Sequence, residues 1–367
     1  MEEQWHLIAL HQIAGVGWQT IARLFESGWI PGEKLRPSIL SSLAEVGVPK
    51  KVIKRIQNKF CPAWIEQVKQ ICEARKITAI TYFDPKYPPY LKEIQQPPWV
   101  LYIRGDIELL QSPCLSIVGA RKPTSYGIRM TRKFAEDLAT QGLTIVSGLA
   151  YGIDAEAHQS ALEIGGKTIA VLASGVDVVY PKRHRNLYQR IVEQGAVLSE
   201  SPPGTSPKPG LFPLRNRLIS GLSMGTLVVE AAQKSGSLIT AECSVEQNRE
   251  VFAIPGPIHS PLSAGTLQLI QEGAKCVVTL EDVLEELPVF ANQSTLANAQ
   301  EVELNNQEEK LISYLGDEPI HIAVLMEKLS SEFSISQLHQ LLLSLELKQV
   351  ITQLAGQHVV RRKCRMD

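Results

Sequence analysis

The tract FPLRNRL, residues 212–218, sets Arg215 and Arg217 on either side of Asn216 at the head of an apolar stretch. Two guanidiniums there suit an anion, and three other tracts carry matching chemistry. GARKPTSYG brings Arg121, Lys122 and Ser125. YPKRHRNLY brings Lys182, Arg183, Arg185 and Asn186, and KSGSLITA offers Ser235, Gly236, Ser237 and Thr240. Nearly every apolar run in the middle of the chain ends in small residues, as at Gly119-Ala120, Ser147-Gly148, Ser174-Gly175 and Pro255-Gly256. Small residues at strand ends let backbone amides approach a phosphate, and helix entrances supply the donors. Cations that meet phosphates fix position without reading bases. Tyr126, Tyr151, Tyr180 and Phe212 lie in or beside these tracts. Each aromatic stacking on a base would contribute about 1–3 kcal/mol. The arrangement predicts a polyanion along one edge of the fold. For the pair of arginines two readings stand: a fork on successive phosphates, or a structural role in which one pairs with Glu200 or Glu230. Asn216 either contacts the sugar-phosphate chain or fixes the loop.

Other chemistry is poorly supplied. There is neither a GxGxxG nor a GxxxxGK[ST] loop, so no dinucleotide or P-loop cofactor is expected. Asp154 and His158 stand four apart in SGLAYGIDAEAH, the spacing of a metal pair, but only Glu156 accompanies them. A helix-terminal aspartate and a hydrogen-bonded histidine account for them better, and no metal is expected. Six cysteines are scattered without a CxxC pair, which fits reduced thiols in a cytoplasm. No apolar run approaches the roughly 20 residues of a membrane helix. With 37 basic against 38 acidic residues, any attraction for nucleic acid must be local.

The elements that must position these residues follow from periodicity. Residues 1–75 repeat at helical spacing. IAGVGWQTIARLF there has the form of a helix–hairpin–helix, in which Gly15 and Gly17 form a candidate phosphate-holding hairpin or simply a tight turn between packed helices. From 76 to 287 nine short β-branched runs, from ITAITYF to CVVTL, alternate with amphipathic stretches. Such runs are buried on both faces, which predicts a doubly wound, Rossmann-like, mostly parallel sheet. Residues 281–309 hold eight acids and no base, and 288–305 reads as a linker. The last region, 306–367, gives three helices and two strands about a glycine turn, a winged helix. Its third helix, SQLHQLLLSLELKQ, has Lys348 as its one firm base, few cations for gripping duplex DNA.

Six tracts occur in order between about 110 and 275: IVGARKPTSYG, SGLAYGIDAEAH, GVDVVYPKRHRNLY, SESPPGTSPKPGLFPLRNRLISGLS, VVEAAQKSGSLITA and NREVFAIPG. Together they resemble the DNA-processing protein A family (DprA, also called Smf), whose longer members share the helix–hairpin–helix start and winged-helix end. The resemblance implies a non-enzymatic, dimeric single-stranded DNA-binding protein. Such proteins protect incoming strands during natural transformation and load the RecA recombinase in place of single-strand-binding protein. Two positions depart from the family pattern: Leu267 stands at a usual asparagine and Asn248 at a usual glycine. GTLQLIQEGA, in the region associated with dimerisation, carries Leu267, Leu269 and Ile270. The expectation is that Leu267 and Ile270 pack inward while Leu269 faces a partner; the alternative puts all three in the core. A second resemblance competes: LSMGTLVVEAA is similar to a motif of nucleoside-monophosphate hydrolases of the lysine-decarboxylase-like class, which would make Gly225 and Thr226 phosphate ligands and Glu230 catalytic. The double glycine of that motif is missing here, since Ser223-Met224 stands in its place.

Overall fold

The computed structural model describes residues 3–287, 290, 306–315, 320–329, 333–348, 351–354 and 358–361. The chain divides into two compact units, residues 1–291 and 292–367.

In the first unit all nine expected runs become strands: β1 Thr78–Thr81, β2 Val100–Gly105, β3 Cys114–Val118, β4 Thr144–Ser147, β5 Thr168–Val171, β6 Ala196–Ser199, β7 Gly225–Val228, β8 Glu250–Ala253 and β9 Lys275–Cys276. They form one sheet in the order β1-β2-β6-β5-β4-β3-β7-β8-β9. The seven strands from β6 to β9 are mutually parallel, while β2 runs antiparallel to both β1 and β6. Alternate residues feed opposite faces. Ile169 and Val171 join one core and Ala170 another, while Ile145 and Val146 divide likewise. Burial on both sides is why these runs read as continuous apolar stretches.

Helices of at least two turns cover both faces. The first five are α1 Glu3–His11, α2 Trp18–Glu26, α3 Pro37–Glu45, α4 Lys50–Lys59 and α5 Pro62–Ala74. Then follow α6 Ser125–Thr140, α7 Ile153–Glu163, α8 Arg185–Gln194, α9 Leu211–Gly221, α10 Gly236–Glu246 and α11 Ala264–Gln271. The boundary expected near residue 75 is crossed by a continuous core. Leu7, Ile21 and Ile56 from the N-terminal helices share it with Tyr102, Ala170 and Val197 of the sheet. Tryptophan nitrogens stitch the same junction, with Trp18 donating to Pro97 O at 2.8 Å and Trp99 to Trp18 O at 3.1 Å.

Asn248, the residue at the family's usual glycine, has φ +54°. This left-handed conformation favours glycine, and asparagine is among the side chains that tolerate it. Gly152 (φ +80°) precedes α7, where a Cβ would strike the carbonyl of Ala120.

The second unit has α12 Asn306–Ser313, α13 Ile322–Leu329 and α14 Ile335–Leu347. With them goes a three-stranded sheet, β10 Ile320–His321, β11 Ile351–Leu354 and β12 His358–Arg361, in the order β10-β12-β11. Leu311, Leu325, Leu342 and Val359 centre its core. Ser334 and Gln337 form a reciprocal capping box at the start of α14. Lys348, the one firm base of that tract, is held at 2.7 Å by the buried carboxylate of Glu308. The expected linker, 288–305, lies almost wholly outside the described residues.

Candidate nucleic-acid interface

Connections from β3 wind toward β4, β5 and β6 on one side, while β7, β8 and β9 continue on the other. Neighbouring strands β3 and β7 therefore mark the topological switch point, where an open parallel sheet leaves a crevice beyond its carboxyl ends. A crevice of about 640 Å³ lies there. Gly119 and Arg121 after β3, Ala150 and Asp154 after β4, Tyr180, the head of α9 and the start of α10 line it. Four tracts far apart in sequence meet because the parallel strands all end on one edge.

The two arginines of the RNR tract do different things. Arg215 is 7% exposed, and its Nη1 donates to Gly148 O at 2.7 Å and also to Val171 O. Burial lowers its pKa to about 10, with Asp154 acting in the opposite direction. Arg217 pairs with Glu200 and donates to Gln96 O at 2.6 Å. Burial raises Glu200, against the pull of Arg217. The solvent-facing fork expected of this pair is therefore not formed. One arginine satisfies carbonyls at the ends of β4 and β5, and the other takes Glu200, the structural alternative read from the sequence. Asn216 donates from Nδ2 to Gly236 O at 3.1 Å and so fixes the α10 loop.

The unengaged charge lies elsewhere on the crest. Among the described residues, the side chains of Arg121, Lys122, Lys182 and Arg183 have neither an ion pair nor a hydrogen bond, and all four are exposed. The Arg121 guanidinium stands 6.0 Å from the Phe212 ring centre, and Phe212 lies 5.5 Å from Tyr180. A cation, a phenyl and a phenol thus form a row along one wall. Ser235, also lining the crevice, caps α10, accepting from Ser237 N at 3.3 Å, and its hydroxyl lies 2.7 Å from that of Ser237. Thr240 lies one turn deeper and is buried. Lys122, Ser125, Lys182, Arg183 and Asn186 do not line the crevice, although Lys122 adjoins Arg121, which does; Ser125 opens α6 and Asn186 lies exposed in the first turn of α8. Of the remaining aromatics, Tyr126 donates to Pro255 O at 2.8 Å and packs on the core, while Tyr151 remains exposed.

Carboxylates behind the crest are structural. Glu230, 3% exposed, accepts from Thr124 N at 2.9 Å and from the Thr124 hydroxyl, at the N-terminus of α6. A Cβ on Gly127 would collide with it. Gly225 and Thr226 sit inside β7, where the Thr226 hydroxyl meets Ser116 at 2.6 Å and Ser244 at 2.7 Å. The hydrolase reading is left without a phosphate loop or an unengaged carboxylate. Asp154 accepts from Gly148 N at 3.1 Å and Ala150 N at 3.3 Å. Nδ1 of the buried His158 lies 2.6 Å from the Thr168 hydroxyl. Burial pushes His158 down to about 3, with His184 and Arg215 adding to the effect. These are the helix-terminal and hydrogen-bonded roles read from their spacing. No group of three or more metal-type ligands occurs among the described residues. Glu230 as the clamp on α6 gave no sequence signal, since its partner Thr124 lies more than a hundred residues away.

Gly15, at φ +94°, and Gly17, before α2, do form the tight N-terminal hairpin; Arg55 closes it from α4 by donating to Ala14 O at 2.9 Å. On α11 the expected orientation is reversed. All three are half-buried; Leu269 packs against the core that contains Leu110 and Ala231, whereas Leu267 and Ile270 do not join it.

The model of the DNA recombination-mediator protein A family matches residues 78–288, and that of the DprA winged helix domain matches 295–357. Protein Smf of Escherichia coli is 40% identical over 85% of this chain and 82% of its own length. The DNA processing protein DprA of Streptococcus pneumoniae is 46% identical over 58% of this chain and 76% of its own. A crystal structure of the pneumococcal protein superposes with a TM-score of 0.69 at 38% identity, covering 78% of this chain and 99% of that one. DNA processing protein A of Helicobacter pylori, whose structure was described for its single-stranded DNA binding mode, gives 0.52 at 31% identity, covering 57% of this chain and 94% of that one.

Proposed function

The chain belongs to the DNA recombination-mediator protein A family, and from that premise we propose that it binds single-stranded DNA along the crest without sequence preference. In this reading it works in the cytoplasm as a homodimer, shields incoming strands and loads a RecA-type recombinase in exchange for single-strand-binding protein. It is not an enzyme and uses no cofactor.

The observation that carries the proposal is the set of four exposed, unengaged cations, Arg121, Lys122, Lys182 and Arg183, beside the aromatic row of Phe212 and Tyr180. Exposed point charges follow a backbone, and the rings offer faces to unpaired bases. Ser125 and the Ser235–Gly236–Ser237 turn present helix-entrance donors to the same strand, with Thr240 beneath them and Asn216 and Asn186 at its margins. Arg215 serves as the crevice floor, and Arg217 as its neighbour held by Glu200. The Gly15–Gly17 hairpin is a secondary phosphate contact. Dimerisation uses α11 through Leu267 and Ile270, the two large aliphatic residues of that helix that do not join the core. The single-strand binding described for the Helicobacter pylori relative supports the reading.

The test is anisotropy with labelled oligothymidylate and with a mixed sequence of equal length. Both should bind alike. Replacing the four cations by alanine should abolish binding of each while leaving the melting transition in place. Retained affinity in that variant would refute the assignment.

A further inference from the structure

The loop that joins β4 to α7 forms part of the crevice floor, and its first three residues, Gly148 to Ala150, are held by side chains from three places in the chain. Gly148 O accepts from Arg215 of α9 at 2.7 Å. Gly148 N and Ala150 N donate to Asp154 of α7. Between them, Leu149 O lies 3.0 Å from Nδ1 of His184, so the imidazole donates there in its Nδ1–H form. Leu149 itself is fully buried with φ +55°. A branched side chain in the left-handed region persists only where its surroundings hold it.

His184 is the last residue of the short helical turn Lys182–His184 and caps α8. Its two predecessors are the exposed cations Lys182 and Arg183. Its ring also stacks edge-on to Tyr151, with centres 4.9 Å apart. The imidazole therefore ties the turn that carries two free cations to the strained carbonyl of the crevice floor. Without that bond the turn loses its hydrogen bond to the crevice-floor carbonyl, and the two cations beside His184 lose that restraint.

We propose that His184 is a positioning residue. Through Leu149 O it presets Lys182 and Arg183 against the crevice, so that a strand meets an organised row of charges without having to order the turn itself. Preorganisation of this kind raises affinity by lowering the ordering cost of binding. The inference rests on the single-strand reading above, and its test is arranged so that the two fail separately.

The experiment measures oligothymidylate affinity of the full chain in a double-mutant cycle. His184→Ala should weaken binding by about tenfold, the upper end of what one neutral hydrogen bond contributes. His184→Asn, whose amide nitrogen can stand in for Nδ1, should recover most of it. In a Lys182→Ala/Arg183→Ala background the His184→Ala change should cost little more, because the groups it positions are gone. A residue important only for folding would weaken binding equally in both backgrounds. Amide exchange in the DNA-free protein gives a second reading: the Gly148 and Ala150 amides should exchange faster in His184→Ala and near the normal rate in His184→Asn. Additive losses, unaltered affinity or unaltered exchange would overturn the tether while the wild-type protein still bound DNA. A wild-type protein that bound no single strand would bring down the functional reading and the tether with it.

Discussion

Arg215 and Arg217 carry the same functional group two positions apart, and the fold gives them different work. Arg215→Ala would leave the carbonyls of Gly148 and Val171 without their charged donor in a buried site. Its expected cost is about 3 kcal/mol of stability, read as a lowered denaturant midpoint at unchanged slope. Arg217→Ala breaks a partly exposed pair and should cost about 1 kcal/mol or less. Lys182→Ala and Arg183→Ala should leave stability within about 0.5 kcal/mol and act on DNA affinity alone. Sequence made the residue types legible but not their burial. RNR reads as a basic tract, and only the approach of the β4 and β5 ends to α9 converts one arginine into a carbonyl bridge.

His158 gives a pH test at the same scale. Burial holds its folded pKa at about 3, below the ordinary histidine value of 6.5. The unfolded chain therefore takes up a proton that the folded one refuses. Stability from this group is complete above about pH 6.5 and falls as the pH drops toward 3, by about 1.4 kcal/mol per unit. Chemical denaturation between pH 6.5 and 4.5 should show a flatter pH dependence for His158→Gln than for the wild type. Parallel profiles would mean that the histidine is not held neutral.

At the scale of elements, the strands β1 to β8 were legible because each comes from a short apolar run largely buried on both faces, a pattern that requires no knowledge of neighbours, whereas β9 is only the half-buried pair Lys275–Cys276 at the head of its run. The face of α11 was not legible. Leu267 and Ile270 form as good an i, i+3 stripe as any core-facing pair, yet the helix turns Leu269 inward. A single helix sequence cannot say which of two apolar stripes meets its own sheet. The corrected orientation moves the expected dimer contact. Ile270→Glu should give a monomer with an intact melting transition, and Leu269→Ala should instead lower the melting temperature. Light scattering and thermal melts on both variants decide this, and a dimer retained in Ile270→Glu would remove α11 from the interface. The N-terminus of α6 carries a companion prediction. Glu230→Gln keeps the shape but loses the carboxylate that takes Thr124 N and its hydroxyl, so it should destabilise by about 1–2 kcal/mol.

At the scale of the whole molecule the charges nearly cancel, with a formal net charge of −1, so attraction for a polyanion depends on where the cations stand. They stand at the carboxyl edge of a parallel sheet, brought from loops after β3 and β5 to one switch-point crevice. That convergence could be anticipated from the small residues at strand ends, but the division of the basic residues into engaged and unengaged could not. The most direct measurement compares a single strand with a duplex of the same sequence over a salt series. Four free cations and an exposed aromatic row predict tighter binding of the single strand, with a log–log salt slope of roughly −2.8, about −0.7 for each neutralised phosphate. Equal or tighter binding of the duplex, or single-strand affinity indifferent to salt, would contradict the account.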